Sequence, residues 1–248
     1  MTARPLDGLT ALVTGAGRGI GRGCAMLLAT RGAHVVVLSR TASELETLCH
    51  EIEASGGSAE PRAVDVTNAS AVRQIIDDLR RLDILVNNAG TNIPRPFLEV
   101  EEDVLDRLFA VNVRAAFLVA QAAARRMVEQ SSGSIIHMSS QLGHVGAPKR
   151  SVYCATKHAI EGLTKSMAVE LGPLGIRVNA VGPTFVETPM TRPFLEDENF
   201  LAEVRASIPL GRLATIEDIA EAVCFLAAPT AKMINGHSLL VDGGWTAR

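Results

Sequence analysis

The fold of this chain is decided near its start by the stretch Ala11-Leu12-Val13-Thr14-Gly15-Ala16-Gly17-Arg18-Gly19-Ile20-Gly21. A short apolar run leads there into four glycines within seven residues. Glycines at such a point allow a tight turn and let the backbone approach a pyrophosphate, which then lies at a helix N-terminus. Because an apolar strand precedes the turn and a helix follows it, the stretch predicts a dinucleotide site rather than a simple strand-to-helix connection.

Outward from this turn, short apolar strand patterns alternate with longer helical patterns. Strands are predicted at residues 10–14, 34–38, 60–64, 84–86, 134–138, 177–181 and 238–241, and helices at 20–30, 42–54, 69–81, 102–129, 152–171 and 216–227. Several strands are apolar without alternation, as strands covered on both faces are. The pattern predicts an α/β fold, a doubly wound Rossmann-type domain with a parallel seven-stranded sheet and helices on both faces.

The composition shows no break, so we expect one domain over residues 1–248. Its dinucleotide-binding half would cover about 1–90 and its catalytic and substrate half about 91–248. Residues 183–213 interrupt the rhythm with prolines and scattered apolar and acidic residues, and a connection of that length is more often functional than idle. We interpret it as a substrate lid with a short helix. Asn68 and Thr215 are predicted N-caps, and Gly172 a helix stop.

The bulk properties exclude several classes of partner. A net charge of −3 and a pI near 6.1, without a Lys/Arg block, argue against nucleic acid or an anionic membrane. No apolar run approaches the length of a membrane span, and the start has no signal-like stretch. The four cysteines (Cys24, Cys49, Cys154 and Cys224) show neither metal spacing nor a disulfide pattern. We therefore expect reduced thiols, no metal site and a cytoplasmic location.

The end of the second strand bears on cofactor choice. An acidic residue there would hydrogen-bond the adenosine ribose and select NAD. This chain has Ser39 followed by Arg40, and Arg18 lies in the glycine turn. Two guanidiniums could clamp a 2′-phosphate, so we predict NADP(H) as the preferred cofactor, with NAD(H) as the alternative.

The only tyrosine, Tyr153, precedes Lys157 by four residues. On a helix this spacing places the phenol and the ammonium on one face, one turn apart. A neighbouring cation lowers the pKa of a phenol, so the pair is suited to proton transfer near working pH. Taken alone, the same spacing also fits a core tyrosine beside a solvated lysine.

Taken together, the motifs resemble those of the short-chain dehydrogenase/reductase family, in an oxoacyl reductase or sugar-acid dehydrogenase-like branch. The matches are TGxxxGxG at Thr14–Gly21, NNAG at Asn87–Gly90, Asn112, Ser140 and the Tyr153/Lys157 pair, in family order over nearly the whole chain. The resemblance implies that Tyr153 exchanges a proton with the substrate oxygen and that Lys157 lowers its pKa and holds the nicotinamide ribose. Ser140 would hydrogen-bond the carbonyl oxygen, with the neighbouring Ser139 as the alternative. Asn112 would anchor a water in a proton relay.

The resemblance also implies where the cofactor lies. The residues expected to bind it are Gly15, Arg18, Gly19, Ile20, Gly21, Ser39, Arg40, Asp65, Val66, Asn88, Ala89, Gly90, Tyr153, Lys157, Pro183, Val186 and Thr188. Asp65 would meet the adenine amino group and Thr188 the nicotinamide carboxamide. The chain departs from the family at Pro183-Thr184, where Pro-Gly is usual, which is expected to change the local backbone path and substrate fit.

The predicted substrate is a small carbonyl or secondary alcohol, such as a sugar acid or polyol. Its pocket is expected to include Ser140, Gln141, His144, Tyr153, Phe185 and Met190. Lys149 and Arg150, with Arg95, could attract an anionic substrate or form a solvated basic turn.

The predicted activity is that of an NAD(P)-dependent oxidoreductase that transfers a hydride to or from this group. A 3-oxoacyl-thioester reductase would have the same architecture. A regulator that binds the cofactor without catalysis should show damage at Asn112, Ser140, Tyr153 or Lys157, and all four are intact. Helices 102–129 and 152–171 are more apolar than one buried face requires, and the family pairs them across a homotetramer.

Overall fold

One twisted parallel sheet forms the centre of the molecule. The computed structural model describes residues 4–247. The strands are β1 (Thr10–Thr14), β2 (His34–Ser39), β3 (Ser58–Ala63), β4 (Ile84–Asn87), β5 (Gly133–Met138), β6 (Ile176–Pro183) and β7 (Ser238–Val241). They lie in the order β3-β2-β1-β4-β5-β6-β7, and every neighbouring pair is parallel. The predicted seven-stranded, doubly wound fold is confirmed.

Helices cover both faces of this sheet. They are α1 (Gly19–Thr30), α2 (Ala42–Ala54), α3 (Ala69–Asp77), α4 (Glu102–Phe109), α5 (Ala116–Gln130), α6 (Ser151–Leu171), α7 (Arg192–Leu195), α8 (Glu198–Ser207) and α9 (Ile216–Ala227). The strand order reverses between β1 and β4, because Ala11 lies opposite Val35 on one side and Ile84 on the other. Ligands of doubly wound folds bind in the crevice at such a switch point.

Alternate residues of β1 supply two apolar cores. Ala11 and Val13 belong to a cluster that includes side chains of α1, α2 and α9, whereas Leu12 belongs to one that includes side chains of α3 and α5. Leu12 is completely buried, and burying such a side chain stabilises the fold by about 1.5–3 kcal/mol. Two covered faces explain why β1 is apolar without alternation.

Several boundaries differ from those predicted. α3 ends at Asp77 rather than at residue 81, because Arg126 donates hydrogen bonds to the carbonyls of Leu79 and Arg80 and holds that segment outside the helix. β3 begins at Ser58, which pairs with His34, rather than at residue 60. Three predicted helix signals agree with the structure. Asn68 and Thr215 cap α3 and α9 with side-chain hydrogen bonds, and α6 ends immediately before Gly172.

The long helix predicted at 102–129 is interrupted. α4 passes into a π-helical turn, Ala110–Ala115, before α5 begins. Taken as one element, Glu102–Gln130 is long and apolar enough to cross a membrane by length and composition, although polar residues interrupt it. Half of its most apolar window is buried within the fold, as in the core helix of a folded domain.

The segment between β6 and α9 contains two helices where one was expected. Asp197 accepts hydrogen bonds from the N–H groups of Asn199 and Phe200 and so begins α8. Phe185, at the start of the segment, packs edge-on against Phe200, with ring centroids 5.6 Å apart. Its other ring neighbour is Trp245, at 5.9 Å. These aromatic contacts join the segment to the C-terminal part of the chain.

Candidate active site

The glycine turn after β1 presents backbone rather than side chains. Gly15 and Gly19 have φ angles of +65° and +58°, a left-handed conformation that glycine adopts without strain. A Cβ at Gly15 would lie 3.0 Å from the Cα of Ala89, so the turn also needs glycine for close approach. Arg18, the N-cap of α1, makes no side-chain capping bond. The first N–H groups of α1 therefore have no side-chain cap and suit an anion.

Thr14 joins this turn to the end of β4. Its hydroxyl oxygen accepts hydrogen bonds from the N–H groups of Asn88 and Ala89, both at 3.0 Å. The Asn88 side chain donates in return to the carbonyl of Thr14, at 2.9 Å. Gly21 packs beneath the turn, because a Cβ there would contact the carbonyl of Gly15, and it does not line the cleft.

A cleft of about 450 Å³ runs from this turn across the carboxyl ends of the strands. All the predicted cofactor residues except Gly21 line it. Residues that the sequence did not assign to the cofactor also line it, among them Gly17, Thr41, Glu44, Val64, Thr91, Arg107, Val111, Met138, Ser139, Thr184, Pro189 and Thr191. The structure therefore brings the predicted dinucleotide residues together in one continuous site.

At the adenosine end, cationic and anionic side chains lie close together. Arg18 and Arg40 are exposed beside Ser39. The Asp65 carboxylate accepts two hydrogen bonds from Thr67, which lower its pKa, and the charge of Arg40 lowers it further. Glu44 is an addition to the prediction, since a Cβ at Gly17 would contact its carboxylate and would lie 3.0 Å from Ser39 Oγ. Its place in the first turn of α2 was the available signal.

At the other end of the cleft lie Ser140, Tyr153 and Lys157. Lys157 is 5% exposed, and its Nζ donates a hydrogen bond to the carbonyl of Met138 at 2.8 Å. The same Nζ lies 5.5 Å from the centroid of the Tyr153 ring. Burial lowers the pKa of Lys157 to about 8, against the opposing charge of Glu161.

The pKa of Tyr153 is raised, whereas its spacing to Lys157 predicted that it would be lowered. Burial raises its pKa to about 12, and hydrogen bonding with Ser140 and the charge of Arg150 oppose the rise without overcoming it. The expected lowering by Lys157 does not dominate, because the cost of burying a phenolate is larger. Tyr153 is therefore a neutral phenol at neutral pH and is suited to donate a proton.

Asn112 lies inside the π-helical turn and behind the cleft. Its Oδ1 accepts the Thr91 N–H, and its Nδ2 donates to the Thr91 carbonyl, both at 2.8 Å. Nδ2 also donates to Thr156 Oγ1 at 3.2 Å. A Cβ at Gly90 would lie 3.3 Å from Asn112 Oδ1 and 3.8 Å from Lys157 Nζ, so this backbone passes close to both side chains. The Asn112 carboxamide thus holds the chain beside the lysine.

Three of the six predicted substrate residues do not line the cleft. Gln141 is 1% exposed, and Phe185 packs against aromatic rings. His144 Nε2 lies 3.2 Å from Glu161 Oε1, which also accepts a hydrogen bond from Ser238. Ser140, Tyr153 and Met190 do line the cleft. Sequence spacing could not separate these sets, because it does not give side-chain direction.

The departure at Thr184 leaves the backbone regular. Its N–H donates to the Val241 carbonyl at 3.1 Å, which extends the pairing of β6 with β7, and its φ is not positive. Thr184 is 8% exposed, and its buried Oγ1 has no hydrogen-bond partner within residues 4–247. No glycine is required at this point, and the substitution adds a hydroxyl to the cleft wall.

The three basic residues near Tyr153 occupy different environments. Arg95 and Lys149 are exposed, as in a solvated turn. Arg150 is only 9% exposed, and its guanidinium carbon lies 5.0 Å from the centroid of the Phe194 ring in α7. Burial lowers its pKa, although the neighbouring Tyr153 and Cys154 oppose this.

A dinucleotide cleft that ends at a serine, a buried phenol and a lysine defines a class, the oxidoreductases that use a nicotinamide cofactor on CH–OH or C=O groups. A family model described as "Enoyl-(Acyl carrier protein) reductase" matches residues 15–246. The chain belongs to the short-chain dehydrogenase/reductase family, which confirms the resemblance. It is an oxidoreductase that transfers a hydride between such a cofactor and a small carbonyl or alcohol.

Three relatives illustrate the likeness. L-xylulose reductase of Mesocricetus auratus is 42% identical over 241 residues, which cover 97% of each chain. The 2-dehydro-3-deoxy-D-gluconate 5-dehydrogenase of Bacillus subtilis (strain 168) is 38% identical over 98% of this chain and 96% of its own. A solved gluconate 5-dehydrogenase of Burkholderia cenocepacia J2315, in complex with NADP and tartrate, has a TM-score of 0.95, with 36% identity over 99% of this chain and 98% of its own.

Proposed function

We propose that the protein is an NADP(H)-dependent reductase or dehydrogenase of small polyhydroxylated compounds, namely sugars, polyols or sugar acids. The observation that carries this proposal is the placing of Ser140 and Tyr153 at one end of a dinucleotide cleft, beside the buried Lys157. The relatives named for L-xylulose and for 2-dehydro-3-deoxy-D-gluconate support the substrate class. The gluconate dehydrogenase in complex with NADP supports the cofactor.

The residues present fit a dinucleotide. The first N–H groups of α1 have no side-chain cap and would receive the pyrophosphate, and Gly15 and Gly19 let the backbone approach it. Arg18 and Arg40 would bind the 2′-phosphate, which an NAD-type acidic residue in place of Ser39 would repel. When bound, the cofactor would supply the hydride.

Each side chain at the catalytic end then has a separate role. The neutral phenol of Tyr153 would donate its proton to the substrate oxygen as negative charge develops there. Ser140 would donate a hydrogen bond to the same oxygen and stabilise that charge. Lys157 would resupply the phenol and hold the nicotinamide ribose. Asn112 would position the Thr91 backbone and Lys157 rather than touch the substrate.

We further propose a homotetramer in the cytoplasm. Apolar side chains are exposed on three neighbouring helices, Leu105 and Phe109 on α4, Phe117 on α5 and Val169 on α6. Exposed apolar patches of this kind mark protein interfaces. Light scattering at micromolar concentration should give the tetramer mass, and a monomer would contradict the assembly. The thiols of Cys24, Cys49, Cys154 and Cys224 are free, which suits a reducing compartment.

The experiment that tests the function combines NADPH with a panel of carbonyl compounds. The panel contains L-xylulose, 5-keto-D-gluconate and acetoacetyl-CoA, the last as substrate for a 3-oxoacyl-thioester reductase. Tyr153→Phe should lower kcat by about 10²–10⁴-fold while NADPH binding, followed by fluorescence, is retained. A preference for acetoacetyl-CoA would show that the protein is a 3-oxoacyl-thioester reductase rather than an enzyme of sugars, polyols or sugar acids. Cofactor binding without turnover of any carbonyl by the wild-type protein would indicate a regulator.

A further inference from the structure

Among the described residues, none provides a counter-charge to the guanidinium of Arg150. Arg150 is 9% exposed, yet within residues 4–247 its side chain makes no ion pair or hydrogen bond. Its one close partner is the ring face of Phe194, 5.0 Å away. A buried charge normally requires a paired acid and hydrogen bonds to its donors, and a ring face supplies neither. Within the described residues, the donors of this guanidinium are therefore available to an anionic ligand.

The position of Arg150 shows where such an anion would lie. Arg150 immediately precedes α6 and lies three residues before Tyr153. Its charge acts on the phenol, because it is one of the two influences that lower the pKa of Tyr153. Phe194 belongs to α7, in the segment that also supplies Met190 and Thr191 to the cleft wall. Arg150 is not itself among the residues that line the cleft, but it lies between the proton donor and the segment beside the substrate end of the cleft.

Lys149, the residue before Arg150, is exposed, whereas Arg150 is buried. Lys149 has a φ of +60°, which is unusual for a residue with a side chain. The Lys149 carbonyl accepts the N–H of Arg95 at 3.1 Å, which fixes this turn on the loop after β4. The turn leaves Lys149 in solvent and Arg150 inside. Only one of the two adjacent cations is buried beside the reacting group.

We propose that Arg150 binds the carboxylate of the substrate, and that the enzyme therefore acts on sugar acids in preference to neutral sugars. This inference rests on the proposed function and selects among its substrates. A guanidinium presents two parallel N–H donors to a carboxylate, which a primary alcohol cannot match. With the carboxylate held at Arg150, the ketone lies further along the chain of the substrate, at Ser140 and Tyr153. The acid is a keto-aldonate in the reductive direction and an aldonate in the oxidative one.

Two probes of nearly identical shape test the proposal. L-sorbose differs from 5-keto-D-gluconate only in having a primary alcohol in place of the carboxylate. The wild-type enzyme should show the higher kcat/KM with 5-keto-D-gluconate. Arg150→Gln should raise the KM for 5-keto-D-gluconate about 10- to 100-fold, as expected for loss of a charge-assisted hydrogen bond. The KM for L-sorbose should be unchanged. The KM of Arg150→Lys for 5-keto-D-gluconate should lie between those of the wild type and Arg150→Gln, because lysine keeps the charge but loses the two parallel N–H donors.

The matched control is Lys149→Gln, which removes the same charge one residue away and should change neither KM. If Arg150→Gln impairs both substrates equally, Arg150 only supports the fold or the phenol, and the proposal is overturned. The same holds if wild-type enzyme shows no preference for the acid. The melting temperature and turnover of L-sorbose by Arg150→Gln show whether that variant is folded.

Calorimetry gives a readout that does not depend on turnover. D-gluconate should bind to the protein in the presence of NADP⁺, and Arg150→Gln should weaken this binding by the same factor. If the protein reduces neutral sugars but does not bind gluconate, the proposed function stands and the role of Arg150 is wrong. If it turns over no carbonyl in the panel, the proposed function itself fails. Gluconate binding that is lost in Arg150→Gln would still support the anion site in that case.

Discussion

The carboxamide of Asn112 makes two hydrogen bonds of 2.8 Å with the backbone of Thr91. Its Oδ1 accepts from the Thr91 N–H, and its Nδ2 donates to the Thr91 carbonyl. The π-helical turn around Asn112 changes the hydrogen-bond register of the helix at this point, and such turns are frequent at functional sites. The resemblance to the family assigned Asn112 to a water relay. In the structure both amide hydrogens of its side chain are donated, to Thr91 and Thr156, so the carboxamide also positions the Thr91 backbone.

Asn112→Ala should therefore affect both stability and catalysis. Leaving the partly buried backbone groups of Thr91 unpaired should lower the free energy of unfolding by about 1 kcal/mol. Displacement of the chain beside Lys157 should lower kcat by about 10²-fold. Asn235 is the matched control, because it clamps the Val178 N–H and the Ala168 carbonyl away from the cleft. Asn235→Ala should lose stability in urea denaturation and keep its kcat; equal kcat losses would contradict the positioning role.

The two adjacent serines allow the oxyanion donor to be identified. Ser140→Ala should lower kcat by about 10²–10³-fold, as loss of a hydrogen bond to the developing charge does. Ser139→Ala should keep the wild-type kcat, because the buried Ser139 hydroxyl faces Gly143, where a Cβ would lie 2.8 Å from its Oγ. Steady-state kinetics of the two variants with one carbonyl substrate decide between them. The reverse ranking would assign the role to Ser139.

The pKa values of Tyr153 and Lys157 predict the pH dependence of carbonyl reduction. The phenol, with a pKa of about 12, keeps its proton throughout the neutral range. Lys157, with a pKa of about 8, loses its charge above that pH, so kcat/KM should fall on the alkaline side. Glu161 raises the pKa of Lys157, and Glu161→Gln should therefore move this fall to lower pH. Glu170→Gln, an exposed change on the same helix, should leave the profile in place, and a shift of the Glu161→Gln profile to higher pH would refute the assignment.

Cofactor selectivity should respond in opposite directions to two changes at the adenosine end. Arg40→Gln should raise the KM for NADPH about 10- to 100-fold and leave that for NADH unchanged, because a charge-assisted hydrogen bond to the 2′-phosphate is lost. Glu44→Gln should lower the KM for NADPH, because a carboxylate beside Ser39 repels that phosphate. Arg73→Gln on α3, outside the cleft lining, is the charge-matched control. Both KM values are measured with one carbonyl substrate, and a parallel change with NADH would argue against phosphate recognition.

The N-terminus of α9 offers a test of stability alone. Thr215 and Asp218 form a reciprocal capping box there. Thr215→Ala should lower the free energy of unfolding by about 1 kcal/mol, which chemical denaturation can measure. Thr41 occupies the same position before α2 but makes no side-chain capping bond. Thr41→Ala should therefore have a much smaller effect, and equal losses would mean that the box is not the cause.

The predicted sheet is confirmed, and the residues predicted for the cofactor end lie together in one cleft, for reasons that are local. The glycines and the apolar run of β1 act within a few residues of each other, and only Gly21 among the predicted cofactor residues lies outside the cleft lining. The π-helical turn was not predicted, because one change of register inside a long apolar helix hardly alters the spacing of its buried residues. The helix α8 could have been found, since Asp197-Glu198 is a recognisable helix start.

The substrate end was harder to predict because its residues depend on side-chain direction. Gln141 and His144 follow Ser140 closely in sequence, yet neither lines the cleft. Side-chain direction also distinguishes Lys149 from Arg150. Nothing in the sequence indicated a difference between these two cations, but Lys149 is exposed and Arg150 is buried. Burial also reversed the predicted direction of the Tyr153 pKa. Each of these outcomes depends on contacts between distant segments.

The position of β1 between β2 and β4 has a consequence for synthesis on the ribosome. Its partner in β2 follows soon after it, whereas Ile84, opposite Ala11 on the other side, emerges much later. Until then β1 has one open edge next to the completely buried Leu12, and such edges recruit other chains. The glycine turn is thus made among the first residues and completed only when the Asn88 segment reaches Thr14. A nascent chain shorter than this has the glycine turn but no cleft, and β1, with its open edge, is the part most in need of a chaperone.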